Sequence, residues 1–171
     1  AALVVTAALA ATRRAWILAG VYALLAVVTP LTYLVWLLRH GHITDLDVQR
    51  REQRVRPMLF TLVCGALAWG VFVLAKAPAP LLAMTGGLWL QMSLVFAITF
   101  RWKISVHCAS AATIATITGF LIETPFLLAI GLPLIAWSRV RLRCHTLPQV
   151  VAGVCLGCVI ASVVLMVLKG I

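Results

Sequence analysis

Acidic residues are scarce in this chain. Four Asp and Glu stand against fourteen Lys and Arg in 171 residues, a net charge of +10, and charged residues make up only 11% of the sequence. A soluble globular domain carries roughly 25%. Long polar stretches are missing as well, since 64% of the residues are hydrophobic, which leaves no room for a large soluble domain. A nucleic-acid partner is excluded despite the positive charge, because the apolar runs have nowhere to go except lipid. The alternating ten-residue segments of a membrane barrel are absent. A disulfide framework is excluded too: the cysteines at 64, 108, 144, 155 and 158 are odd in number, and four lie in or beside apolar runs, where free Cys packs as a small hydrophobe. The Cys155-Leu-Gly-Cys158 stretch reads as packing for the same reason.

What is present is a set of apolar runs able to cross about 30 Å of hydrocarbon. They fall at 15–38, 58–75, 81–100, 104–122, 125–138 and 146–168. The expected fold is all-α, an integral membrane bundle of six transmembrane helices forming one membrane-embedded domain over 1–171. Residues 1–14 read as an N-terminal tail or truncated helix, and 39–57 as a polar loop carrying the first basic cluster. Pro30 and Pro133 are tolerable where neighbouring helices cover the freed backbone groups. Breaks at Lys76 to Pro80 and at Glu123 to Pro125 predict tight hairpins. Gly153 and Gly157 form a small-xxx-small pair for packing within the chain.

Parity over six spans places the loops after the first, third and fifth helices on one face. Ten of the fourteen basic residues then gather there, from Arg39, Arg50, Arg51, Arg54 and Arg56 through Arg101 and Lys103 to Arg139, Arg141 and Arg143. All four His (40, 42, 107 and 145) join them, with Asp45, Asp47 and Glu52. The positive-inside rule explains the Arg and makes this face cytoplasmic. It does not explain the His. Basic residues from three loops around two His suit a phosphate group, which Arg and Lys bind through charge-assisted hydrogen bonds. Phosphoryl transfer without a metal needs one neutral imidazole to attack phosphorus and one protonated imidazole to serve the leaving oxygen. Three acids on that face disfavour a two-metal site, so no metal or other cofactor is expected. Arg51 and Arg54 share a helical face and are the first-loop choices as phosphate ligands. His40 and His42 read as solvated interfacial residues.

Two segments carry a family resemblance. Lys103 to His107 (KISVH) and Ser138 to Gln149 (SRVRLRCHTLPQ) resemble the second and third signature motifs of the type 2 phosphatidic acid phosphatase superfamily, Pro-Ser-Gly-His and Ser-Arg, five residues, His, three residues, Asp. Ser105 and His107 match the former, with Ile104 and Val106 in place of Pro and Gly. Ser138, Arg139 and His145 match the latter at the family's spacing, and Gln149 stands in place of the Asp. Of the first motif, Arg56-Pro57 supplies the ending, with Gln49 where the Lys would be. The resemblance implies a phosphohistidine on His145, His107 as general acid, and Arg139, Ser105 and a first-loop Arg as phosphate ligands. Lys103 is a substitute for the missing Lys, and Gln149, Asp45 or Asp47 are the groups available to orient the nucleophile.

The expected function is therefore a metal-independent phosphatase acting on a lipid phosphate or diphosphate of prenyl or phosphatidic-acid type. Its expected partners are that substrate and membrane lipids, and its expected location is the bacterial inner membrane with the site on the cytoplasmic face. Two alternatives follow from the same residues. One is an enzyme resembling the UbiA-type prenyl transferases and cyclases, with magnesium on Asp45 and Asp47. The other is a non-catalytic lipid-phosphate binding protein, in which Gln149 marks a degenerate site.

Overall fold

The structure is a computed structural model that describes residues 13–121 and 130–170. The tail expected over residues 1–12 and the break expected at Glu123 to Pro125 lie outside the described residues. Every regular element among the described residues is helical. In chain order they are α1 (Arg13–Arg39), α2 (Arg51–Leu74), α3 (Ala79–Thr99), α4 (Val106–Leu121), α5 (Leu132–Arg141) and α6 (Leu147–Lys169).

Four of these, α1, α2, α3 and α6, are long and apolar enough to cross a membrane. The sequence led to six. The described parts of the other two are shorter: α4 has 16 residues and α5 has 10, preceded by Ile130 and Gly131 in π-helical form, and both border residues outside the described ones. The chain over 104–105 is not helical, so α4 starts at Val106 with the Ser105 hydroxyl accepting a hydrogen bond from Cys108 N–H at 3.3 Å. That is N-capping, and it ends the extended segment before the apolar run is used up.

The polar segment read over 39–57 is loop only as far as Arg50. Helix α2 begins at Arg51, with Glu52 in its first turn where a negative charge suits the helix dipole. Hydropathy had marked where lipid begins rather than where the helix begins, and the difference puts Arg51, Arg54 and Arg56 on helical backbone.

Helix α1 widens into a π-turn over Leu24–Val28, where Thr29 N–H reaches back to the Leu24 carbonyl. Pro30 follows at once. It has no N–H to continue the ladder, and the wider turn absorbs the mismatch. The break at Lys76 to Pro80 is present as a tight connection, with Ala75 closing α2 and Pro78 preceding α3.

The bundle is apolar on both its inside and its outside. Phe72, Leu81, Met84 and Val95 are buried together with the polar Thr85, Gln91, Thr99, Ser105 and Thr113, while Leu24, Leu59, Leu67, Val159 and Met166 are exposed. Such an exposed apolar surface suits a lipid surround, in which the buried polar groups must bond to each other or to backbone. Helices α4 and α6 make the closest pair. Gly153 lies against the Ser105 carbonyl and Gly157 against the backbone of Ala109, and the Thr113 hydroxyl reaches the Gly157 carbonyl at 3.0 Å. The glycine pair thus packs within the chain. Cys155 is exposed and Cys158 half-buried, with no metal-holding cluster of His, Cys, Asp and Glu among the described residues.

Candidate functional site

Three loops meet at one end of the bundle, those after α1, α3 and α5. Their contacts are specific. Arg54, one turn into α2 and 5% exposed, donates from Nε to the Val48 carbonyl at 2.8 Å and from Nη1 to the Ile104 carbonyl at 3.2 Å, tying the first loop to the second. Lys103 Nζ donates to the Cys144 carbonyl at 2.6 Å, tying the second to the third. Arg139 pairs with Asp47 at 2.8 Å, tying the third to the first.

Histidine 145 sits where these ties converge, and local backbone geometry puts it there. Two residues past the end of α5, Arg143 takes a left-handed conformation (φ 55°), and the N–H groups of Cys144 and His145 both return to the Arg139 carbonyl. The reversal turns His145 inward, where it is 7% exposed. Helix α6 then starts with a reciprocal capping box between Thr146 and Gln149. Thr146 N–H donates to Gln149 Oε1 at 3.2 Å, and the same oxygen lies 3.2 Å from His145 Nδ1. A backbone N–H needs an acceptor, so this atom is the amide oxygen, and Nδ1 must carry the hydrogen shared with it. The other ring nitrogen, Nε2, is then left with its lone pair. Burial, together with the positive charges of Arg54 and Lys103, pushes the imidazole down to about 4, against a smaller opposing effect of the Gln149 hydrogen bond. At neutral pH His145 is uncharged. Burial, followed by the charge of Arg54, also lowers Lys103.

His145 lines two clefts. The first, about 530 Å³, has a polar end of Asp47, Arg54, His107 and His145 and an apolar wall of Leu34, Pro57, Met58 and Val106. The second, about 600 Å³, lies among the loops and brings Lys103 and Gln149 to the same imidazole. His107, in the first turn of α4, is exposed on the first cleft. The Arg54 guanidinium keeps N–H groups beyond the two it spends on carbonyls. Arg139 Nε is buried without a hydrogen-bond partner, a donor whose desolvation nothing among the described residues offsets.

The remaining sequence candidates are placed elsewhere. Arg51 is exposed and donates to the Arg101 carbonyl at 3.1 Å. Ser105 lines neither cleft; it is fully buried as the α4 cap, and its N–H donates to the Gln149 carbonyl at 3.3 Å. Asp45 closes its own loop by accepting from Gln49 N–H at 3.1 Å and Thr44 Oγ1 at 3.0 Å. Only Asp47 of the two loop aspartates lines the cleft, and it is engaged with Arg139. The Asp47–Arg139 pair had no signal in the sequence. The capping box did, in the Thr-x-x-Gln pattern before an apolar run.

The chain matches no known protein family, no curated protein and no solved structure.

Proposed function

We propose that this protein is an integral membrane hydrolase that removes phosphate from a lipid phosphate through a phosphohistidine on His145. The observation that carries the reading is the state of that side chain: buried, uncharged, with Nε2 unprotonated and two cationic side chains acting on it. Nε2 attacks phosphorus, the bond from phosphorus to the lipid oxygen breaks, and protonated His107 gives its proton to the leaving alkoxide. Water then attacks the phosphohistidine, returning a proton to neutral His107 and releasing phosphate and a free His145. Arg54 and Lys103 stabilise the charge on the transferring group, and Arg139 Nε is a further donor within the same loop cluster. A cleft with charge at one end and an apolar wall beside it fits an amphipathic substrate, and the second cleft gives water and phosphate a route from the loops.

In this reading the chain crosses the bacterial inner membrane six times, with α4 and α5 completing the bundle and the basic face in the cytoplasm.

The test is release of inorganic phosphate from lipid phosphates by the protein in detergent. His145→Ala is expected to lose a thousandfold or more, vanadate to inhibit, and EDTA to leave turnover intact. Equal release by wild type and His145→Ala sinks the mechanism. Magnesium-dependent transfer instead of hydrolysis favours the prenyl-transferase alternative, and tight binding of lipid phosphate with no release favours a degenerate site.

A further inference from the structure

The first cleft does not end at its apolar wall. Thr61 and Val106 line both it and a deeper groove of about 730 Å³ between α1, α2, α3 and α4. The groove passes the π-turn of α1 at Ala26 and Val27 and reaches Gly65 and Trp89. Such a space beneath a phosphate site suits hydrocarbon, and most of its wall is apolar. One spot is not.

Gln91 and Ser110 both line the groove. Ser110 follows His107 by three residues on α4, so it stands on the same helical face about 4.5 Å deeper. Gln91 is 3% exposed and bonds to Ser110 Oγ from Nε2 at 3.2 Å, while the Thr113 hydroxyl bonds to its Oε1. Turning the amide over exchanges these roles, with Ser110 then donating to the amide oxygen and the amide nitrogen donating to Thr113, whose own hydrogen goes to the Gly157 or Ala109 carbonyl. In either orientation one N–H of the Gln91 amide has no acceptor among the described residues. A buried donor left unpaired in a membrane is costly, and this one lies on the wall of a groove.

We propose that the Gln91 amide, supported by Ser110 and Thr113, is a subsite for an acceptor oxygen of the lipid about one helical turn below its phosphate. The chemistry that fits is the ester carbonyl of an acylated glycerol phosphate, and a prenyl chain has no such atom. The subsite deepens the lipid-phosphate reading of the head cavity and rests on it.

The experiment compares a diacylglycerol phosphate with its dialkyl ether analogue, which keeps phosphate and tails and lacks the carbonyls. Binding is read by quenching of Trp89 with lipids brominated in the chains, in a background in which the other five Trp are replaced by Phe, because those lie at the exposed surface. This single-Trp89 protein is expected to bind the ester roughly fivefold more tightly, the value of one hydrogen bond. Gln91→Leu is expected to erase that ratio, and Ser110→Ala, a smaller change, to reduce it. Equal binding of ester and ether by the single-Trp89 protein, or an undiminished ratio in its Gln91→Leu variant, overturns the subsite. Phosphate release without ester preference leaves the hydrolase reading standing and sinks this one. Ester-selective binding without phosphate release does the reverse.

Discussion

At the residue scale, Gln149 does two things that an aspartate at the same position would do differently. Its amide oxygen closes the capping box with Thr146 and holds the His145 Nδ1 hydrogen, which fixes the tautomer that leaves Nε2 free. It brings no negative charge, so nothing at that position counters Arg54 and Lys103, and burial carries the imidazole down to about 4. Stability follows from this by linkage. The unfolded chain binds a proton on His145 near its ordinary value of 6.5, and the folded protein does not until about 4. Between those values protonation favours the unfolded state. The contribution of His145 is therefore fully present above pH 6.5 and is lost as pH falls toward 4, on the order of 3 kcal/mol. Thermal unfolding in detergent across that window is expected to show a fall in midpoint that is smaller in His145→Gln. Identical pH slopes count against the buried neutral imidazole. Gln149→Asp is expected to raise the histidine pKa, by placing a negative charge beside it, and so to shrink the stability that His145 loses on acidification, because the folded value moves toward 6.5.

At the scale of elements, the packing of α6 on α4 positions the site. A Cβ on Gly153 would stand 2.7 Å from the Ser105 carbonyl oxygen, so the two helices must part to accept one. Ser105 caps α4 and precedes His107 by two residues, and such a displacement reaches the first turn that carries the imidazole. Gly153→Ala is accordingly expected to cost about 1–3 kcal/mol and to lower phosphate release beyond what the remaining folded fraction explains. Gly70, on α2, has nothing within 4 Å of the same atom. Gly70→Ala is expected to be neutral or stabilising by up to about 1 kcal/mol, measured by the same thermal unfolding. The glycine spacing was legible before any coordinates, because close helix approach in lipid selects small residues four apart. Its partner helix was not, since any of the other helices would have served.

At the scale of the whole molecule, the distribution of charge bears on sidedness. Ten basic residues lie in or beside the three loops that meet at the site, and by the positive-inside rule the proposed reading has that end in the cytoplasm. Native thiols are poor reporters of it, because Cys144 and Cys108 are buried at 4% and 0% exposure. Arg141, at the end of α5, is exposed. Arg141→Cys is expected to resist a membrane-impermeant thiol reagent in intact cells and to react after permeabilisation. Labelling in intact cells puts the site on the outer face.

Composition alone fixed the helical membrane character, because backbone groups in lipid must be satisfied within helices when no barrel pattern exists. The parity of six apolar runs also led to the three basic loops sharing one end, and in the structure those loops touch. The length of those spans was a different matter. Hydropathy counts apolar residues, whereas helix ends are set by hydrogen bonds, so the Ser105 cap and the early start at Arg51 moved two boundaries that no apolar count contains. The choice between Arg51 and Arg54 was likewise tertiary: both share a helical face, but only Arg54 meets the Val48 and Ile104 carbonyls, whose positions depend on two other segments. The same holds for Asp45 and Asp47, neighbours in sequence that part because one carboxylate closes its own loop while the other meets an arginine 92 residues away.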